Sequence, residues 1–241
     1  MKKPATRRQF IQQTGILACG AAALARSTFA LAQTGAKYQE KKNRIEDVSP
    51  MEDLMREHRI LDRILLIYDE ILWRRLPGGV EFPPEVLSKG ADLVRRFIED
   101  YHEKLEEDYL FPRFEKARKL VDLVQVLRTQ HRVGRRLTDT IKGLATLQAI
   151  KSPAEREKLS NALRLFIRMY RPHAAREDTV LFPAFHHVVS AHEFAALGEE
   201  FEDKEHALFG KEGFEKIVAE VADLEHTLGL NELADFTAKF D

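Results

Sequence analysis

Apolar residues recur at three- and four-residue steps along four long stretches of the chain, and no stretch shows the strict alternation of a half-buried strand. The first stripe runs through Leu54, Leu61, Leu65 and Leu72, with His58 and Tyr68 filling the gaps. Pro77-Gly78-Gly79 and Pro83-Pro84 interrupt it, and a second follows through Leu87, Ala91, Val94, Ile98, His102, Leu105 and Tyr109. A third runs from about Leu120 to Leu147 through Val124, Leu127, His131, Gly134 and Ile141. The fourth carries Leu159, Leu163, Phe166, Tyr170, His173, Glu177 and Val180, and Ser152-Pro153 before it suits an N-cap and a first helical position. Long helices on short connections must lie antiparallel, so the spacing predicts an all-α, up-down-up-down four-helix bundle over residues 50–189. Residues 33–49 read as a polar linker. Residues 190–241 read as an extension with one additional C-terminal helix flanking the bundle, helix-compatible through about Ala222.

The first 32 residues have a different character. They hold five basic residues (Lys2, Lys3, Arg7, Arg8, Arg26) and no acidic one, then a soft apolar run from Gly15 to Ala25 and a small-x-small exit at Ala30-Leu31-Ala32. That is the pattern of a cleaved signal peptide, and Thr6-Arg7-Arg8-Gln9-Phe10-Ile11 resembles a twin-arginine export signal, which points to the periplasm. A lipid anchor at Cys19 is the less favoured reading, because Leu17 is bulky for the corresponding cleavage box. Cys19 is the only cysteine, so the mature chain has no thiol for a disulfide, an iron–sulfur cluster or a thiolate metal site. Without the signal, 33 basic residues face 39 acidic ones, which argues against the basic stripe of a nucleic-acid-binding protein. Nothing downstream approaches the run of about 18 apolar residues that a membrane span needs.

The second and fourth helices share a segment. His102-x-x-x-Glu106 followed by Leu110-Phe111-Pro112-x-Phe114 aligns without gaps to His173-x-x-x-Glu177 followed by Leu181-Phe182-Pro183-x-Phe185, 71 residues on. His58 and His131, on the first and third helices, repeat at an offset of 73, so the domain reads as two copies of one helical hairpin. Residues four apart on a helix project toward one point, so each His-x-x-x-Glu pair can serve one site. On core-facing stripes an ionised carboxylate or unpaired imidazole is costly unless a cation compensates it. His58, His102, Glu106, His131, His173 and Glu177 are therefore candidate metal ligands. A nitrogen and oxygen set without sulfur suits iron, manganese or zinc alike.

The order His58, His102-x-x-x-Glu106, His131, His173-x-x-x-Glu177 resembles the hemerythrin-like HHE cation-binding domain over roughly Met51 to Val189. The resemblance implies a centre of two iron ions, oxo- or hydroxo-bridged, with the four histidines as terminal ligands and Glu106 and Glu177 bridging. It is nearest to family members associated with iron-centre repair and nitric oxide chemistry. Oxygen-carrying hemerythrin has a fifth histidine four residues after the third-helix one, where this chain has Arg135. Five bonds per iron then leave each with an open position. The resemblance implies a protein reacting with dioxygen, nitric oxide or peroxide, with an electron donor as partner; the alternative is a module that stores, binds or senses oxygen or iron without turnover.

Some alternatives stay open at this level. Glu99-x-x-His102 fits a ferritin-like site once, but Tyr170 stands in the equivalent place before His173. Asp178 competes with Glu177 as the bridge, with Glu177 favoured by its smaller angular offset from His173. His186, His187 and His206 have no repeat partner and read as surface residues. Gly134 lies on the inward face beside His131, where a glycine costs about 1 kcal/mol relative to alanine, and it marks either a small-molecule pocket or a close helix approach.

Overall fold

The computed structural model describes residues 48–78 and 81–238. The export signal, Cys19 and nearly all of the predicted linker lie outside the described residues. Helix α1 (Pro50–Glu70) starts on a capping box: the Ser49 hydroxyl accepts from the Glu52 amide at 3.2 Å, and the Glu52 carboxylate accepts from the Ser49 amide at 2.8 Å. Such a cap contributes about 1 kcal/mol. A π-helical turn, Ile71–Arg75, and Leu76–Gly78 prolong it. Helix α2 runs without a break through Glu85–Leu93, Val94–His102, Glu103–Leu105, Glu106–Leu110 and Phe111–Ala117, the second and fourth segments being π-helical. Helix α3 is Val121–Leu144, and α4 is the short Leu147–Lys151. Helix α5 starts at Pro153–Arg176 and continues through a π turn, Glu177–Leu181, into Phe182–Phe185. Ser152 caps it as predicted, accepting from the Glu155 amide at 3.5 Å.

Helices α1, α2, α3 and α5 pack in a closed ring, each against two neighbours, and no strand occurs among the described residues. The interior of the ring is filled by Tyr68, Phe111, Phe114, Phe166, Tyr170, Phe182 and Phe185, all fully buried. Each phenylalanine buried in this way contributes about 1.5–3 kcal/mol. The third helix ends at Leu144 rather than Leu147, because Thr146 turns the chain and caps α4 by accepting from the Ala149 amide at 3.1 Å. The C-terminal extension is helical as expected but divided into α6 (Ala191–Phe209) and α7 (Gly213–Leu228). The division falls at Gly210, whose φ of 82° only glycine adopts readily.

Both of these helices rest on the α1–α2 side of the bundle. Arg63 of α1 donates to both Glu225 oxygens, at 2.8 and 2.5 Å, and Phe97 and Tyr101 of α2 meet Phe209 at 5.6 and 5.4 Å between ring centroids. No helix among the described residues is long and apolar enough to cross a membrane.

Two of the π turns, Glu106–Leu110 and Glu177–Leu181, have a local cause that repeats with the sequence. Pro112 and Pro183 lack an amide hydrogen, and in a regular helix their rings would strike the carbonyl four residues earlier. The helix widens just before each proline, so that the Phe111 amide reaches back to the Glu106 carbonyl and the Phe182 amide to the Glu177 carbonyl. Widening shifts the helical phase, and the predicted stripes drift outward at that point. Tyr109 is only half-buried and Val180 is exposed, while Leu110 and Leu181 take the core positions. Leu120 also leaves the core, since it sits in the α2–α3 turn with a left-handed φ of 51°.

Candidate metal centre

Each hairpin delivers the same three side chains to the middle of the bundle. α1 and α2 supply His58, His102 and Glu106; α3 and α5 supply His131, His173 and Glu177. All six predicted residues converge, and all are buried. Their donor atoms form two overlapping groups, one of His58, His102 and Glu106, the other of Glu106, His131, His173 and Glu177. The carboxylates lie between the histidine pairs. Glu106 has one oxygen 3.8 Å from His102 Nε2 and the other 3.4 Å from His131 Nε2. Glu177 Oε2 lies 3.3 Å from His58 Nε2 and 3.2 Å from His173 Nε2.

The four imidazoles are held in one orientation by partners behind them. His58 Nδ1 lies 2.6 Å from Asp178 Oδ1, His102 Nδ1 2.8 Å from Glu57 Oε2, His131 Nδ1 3.0 Å from Glu107 Oε1, and His173 Nδ1 2.9 Å from Gln130 Oε1. Carboxylate and amide oxygens only accept, so each Nδ1 carries the hydrogen, and in the neutral ring each Nε2 is left with a lone pair facing inward. These partners were missed in the sequence, although a signal was there: each is a neighbour of a ligand candidate, and they repeat with it. Glu57 and Gln130 precede His58 and His131; Glu107 and Asp178 follow Glu106 and Glu177. Asp178 therefore stands behind His58, also taking Arg59 at 2.5 Å, while Glu177 faces the centre.

With neutral rings, inward lone pairs on the histidines create a surplus of acceptors. His58 Nε2 and His102 Nε2 face each other at 3.0 Å. Both oxygens of Glu106, both of Glu177 and His131 Nε2 are buried without a hydrogen-bond partner. Such groups are costly to bury unless a cation lies among them. The protonation preferences agree. Burial and the nearby Glu177 charge push Glu106 well above the ordinary carboxylate range. Burial acts the same way on Glu177 but is outweighed by His173 and His58, which hold it well below. Burial lowers His131 to about 4, whereas at His58 it is overcome by Asp178 and Glu177, which lift that ring to about 9.

Two aromatic lids close the space. Phe182 stacks on His58 at 5.6 Å and Phe111 on His131 at 5.5 Å, so the repeated Leu-Phe-Pro supplies a dry wall as well as the π turn. Glu99 points elsewhere, accepting from Thr138 at 2.5 Å and pairing with Arg95 at 3.0 Å, so the ferritin-like arrangement does not form. Arg135 lies 2.9 Å from both Glu103 and Glu107. Beside Gly134 the room is already taken: a Cβ there would overlap the Tyr170 hydroxyl, which donates to Glu103 at 2.8 Å. Of the pocket and packing explanations for this glycine, packing is the one found. His186 and His187 are exposed, His206 is half-buried, and none joins the cluster.

Residues 49–185 match the Hemerythrin HHE cation binding domain. The chain belongs to that family. Among its relatives are proteins of Mycobacterium bovis and Mycobacterium tuberculosis, each 50% identical over 190 residues, which is 79% of this chain and 74% of the relative; both are named only as uncharacterized proteins. No solved structure matched the chain. As a member of the HHE family the chain is a cation-binding protein by kinship, and its His/Glu clusters are groups able to hold metal.

Proposed function

We propose that this HHE-domain protein holds two iron ions and reacts through them with a small molecule: dioxygen, nitric oxide or peroxide. His58 and His102 would hold one ion, His131 and His173 the other, with Glu106 and Glu177 spanning both. The observation that carries the reading is the set of unpartnered inward acceptors, Glu106 and Glu177 foremost, enclosed by imidazoles whose Nδ1 atoms are all engaged. Nitrogen and oxygen donors suit iron, and they suit manganese or zinc as well. Iron is chosen on the family kinship. When bound, the pair would supply one-electron steps and a Lewis-acidic point for a small ligand.

The chain's own residues do the rest. Asp178, Glu57, Glu107 and Gln130 fix the ring orientations, and Phe111 and Phe182 exclude water. Burial of the cluster restricts reactants to very small molecules. The twin-arginine pattern and the small-x-small exit support export to the periplasm, with Gln33 as the first mature residue. Stopped-flow mixing of the reduced, iron-loaded protein with each gas and with peroxide tests the reading. A redox role requires reproducible oxidation and return of the reduced state with added electrons. Clean reversible binding without a change of oxidation state would instead assign the centre to oxygen carriage or sensing.

A further inference from the structure

The two halves of the centre are copies in sequence, but their surroundings differ at one chemical point. Three of the four histidines rest on a carboxylate; His173 rests on the neutral amide of Gln130. A carboxylate behind Nδ1 draws the proton toward itself, enriches the ring and makes Nε2 a stronger donor; an amide does this less. In the other half the counterpart of Gln130 is Glu57, which is buried and accepts from the Tyr101 hydroxyl at 3.2 Å. The charge on Glu107, behind His131, is further shared with Arg135 at 2.9 Å and Lys104 at 2.6 Å, while Asp178, behind His58, is shared with Arg59. An ion between His131 and His173 therefore meets the weaker donor pair.

Access differs in the same direction. Helices α6 and α7 seal the α1–α2 side, where Tyr101 and Phe97 pack on Phe209. Between α3 and α5 lies a recess of about 350 Å³ that reaches Gln130 and His173, walled by Leu123, Val126, Leu127 and Pro172, with one acidic and one basic side chain, Asp122 and Arg176, also lining it. His173 is 4% exposed, against 1% or less for the other three histidines.

We propose that the His131–His173 half is the one that accepts the exogenous small ligand, reached through the α3–α5 recess, and that Gln130 sets this difference between the halves. The proposal rests on the two-metal reading above. A weaker donor pair leaves more positive character for a small anion or diatomic molecule, and a recess walled mainly by apolar side chains, with Asp122 and Arg176 balancing in charge, admits a molecule of that size. Gln130 is a positioning residue, acting through His173.

The test uses the full mature chain and two probes, a graded chelator for metal and azide for the ligand position. In the wild type the two ions should leave in separate steps. Gln130→Glu should tighten the weaker step about 10- to 100-fold, merge the two steps, and lower azide affinity by about 10-fold. Val126→Trp, at an exposed position on the recess wall, should slow azide association at least about 10-fold while both chelation steps and the helical circular dichroism stay as in the wild type. Release of both wild-type ions in one step, unchanged steps in Gln130→Glu, or an unchanged azide rate in Val126→Trp would each overturn the proposal. A wild-type protein that holds fewer than two ions would instead bring down the two-metal reading, and the proposal with it.

Discussion

At the scale of single residues, the informative feature is which atom each side chain leaves over. The repeated His-x-x-x-Glu spacing was enough to bring out four candidates, because α-helical geometry alone puts such pairs on one face, and the matching offset of His58 and His131 on the other two helices supplied two more. It could not bring out the hydrogen bonds behind the histidines, since those depend on helix rotation and cross from one helix to another. Glu57 of α1 serves His102 of α2, and Asp178 of α5 serves His58 of α1. Gly134 shows the same limit: a helix-interior glycine asked for a reason, and only the packed structure identified Tyr170 as that reason. Gly134→Ala should therefore destabilise the protein by about 1–3 kcal/mol, read as a lower denaturant midpoint at unchanged slope. An unaltered midpoint would mean that Tyr170 moves freely.

Glu103 gives a pH prediction on the same scale. Burial, opposed by Arg135, pushes its carboxyl up from 4.5 to about 8. A carboxyl raised by folding contributes stability that is full below its ordinary value and lost as the pH climbs through the folded value. The metal-free wild type should thus lose stability between about pH 5 and about pH 8 relative to Glu103→Gln, whose amide stays neutral throughout. Parallel melting curves for the two proteins across that window would contradict the assignment.

At the scale of elements, the long helices were legible because their stripes are long, and their ends were not. The π turns before Pro112 and Pro183 moved Tyr109 and Val180 out of the core, a shift that a fixed 3.6-residue period cannot anticipate. The split of the C-terminal extension at Gly210 and the small helix α4 were likewise hidden, because one glycine and one threonine carry those decisions locally. The α2–α3 turn is built with non-glycine residues in left-handed backbone, Arg118 at φ 54° and Leu120 at φ 51°. Arg118 occupies the position after α2 where glycine is favoured. Arg118→Gly should stabilise the protein by about 1 kcal/mol, a rise of roughly 2–4 °C in melting temperature for a chain of this size. A fall would show that its side chain has a role in the turn.

At the scale of the whole molecule, two hairpins of one pattern enclose a set of acceptors that neither could satisfy alone, and a C-terminal pair of helices covers one of the two hairpins. The fold class and the six central residues could be read in the sequence because the repeat doubles every signal. The asymmetry between the halves could not, since it arises from α6 and α7 and from a single amide at Gln130. Because the ligands are buried, metal removal should lower the melting temperature well beyond what loss of a surface ion would cause, as calorimetry of the loaded and stripped protein would show. The central claim is that Glu106 and Glu177 serve both ions at once. Elemental analysis of the protein matured in its native host, alongside Glu106→Ala and Glu177→Ala, tests it most directly. The proposal predicts about two iron ions per wild-type chain and disturbance of both by either substitution. A single tightly held zinc without iron, or loss of only one ion from both variants, would contradict it.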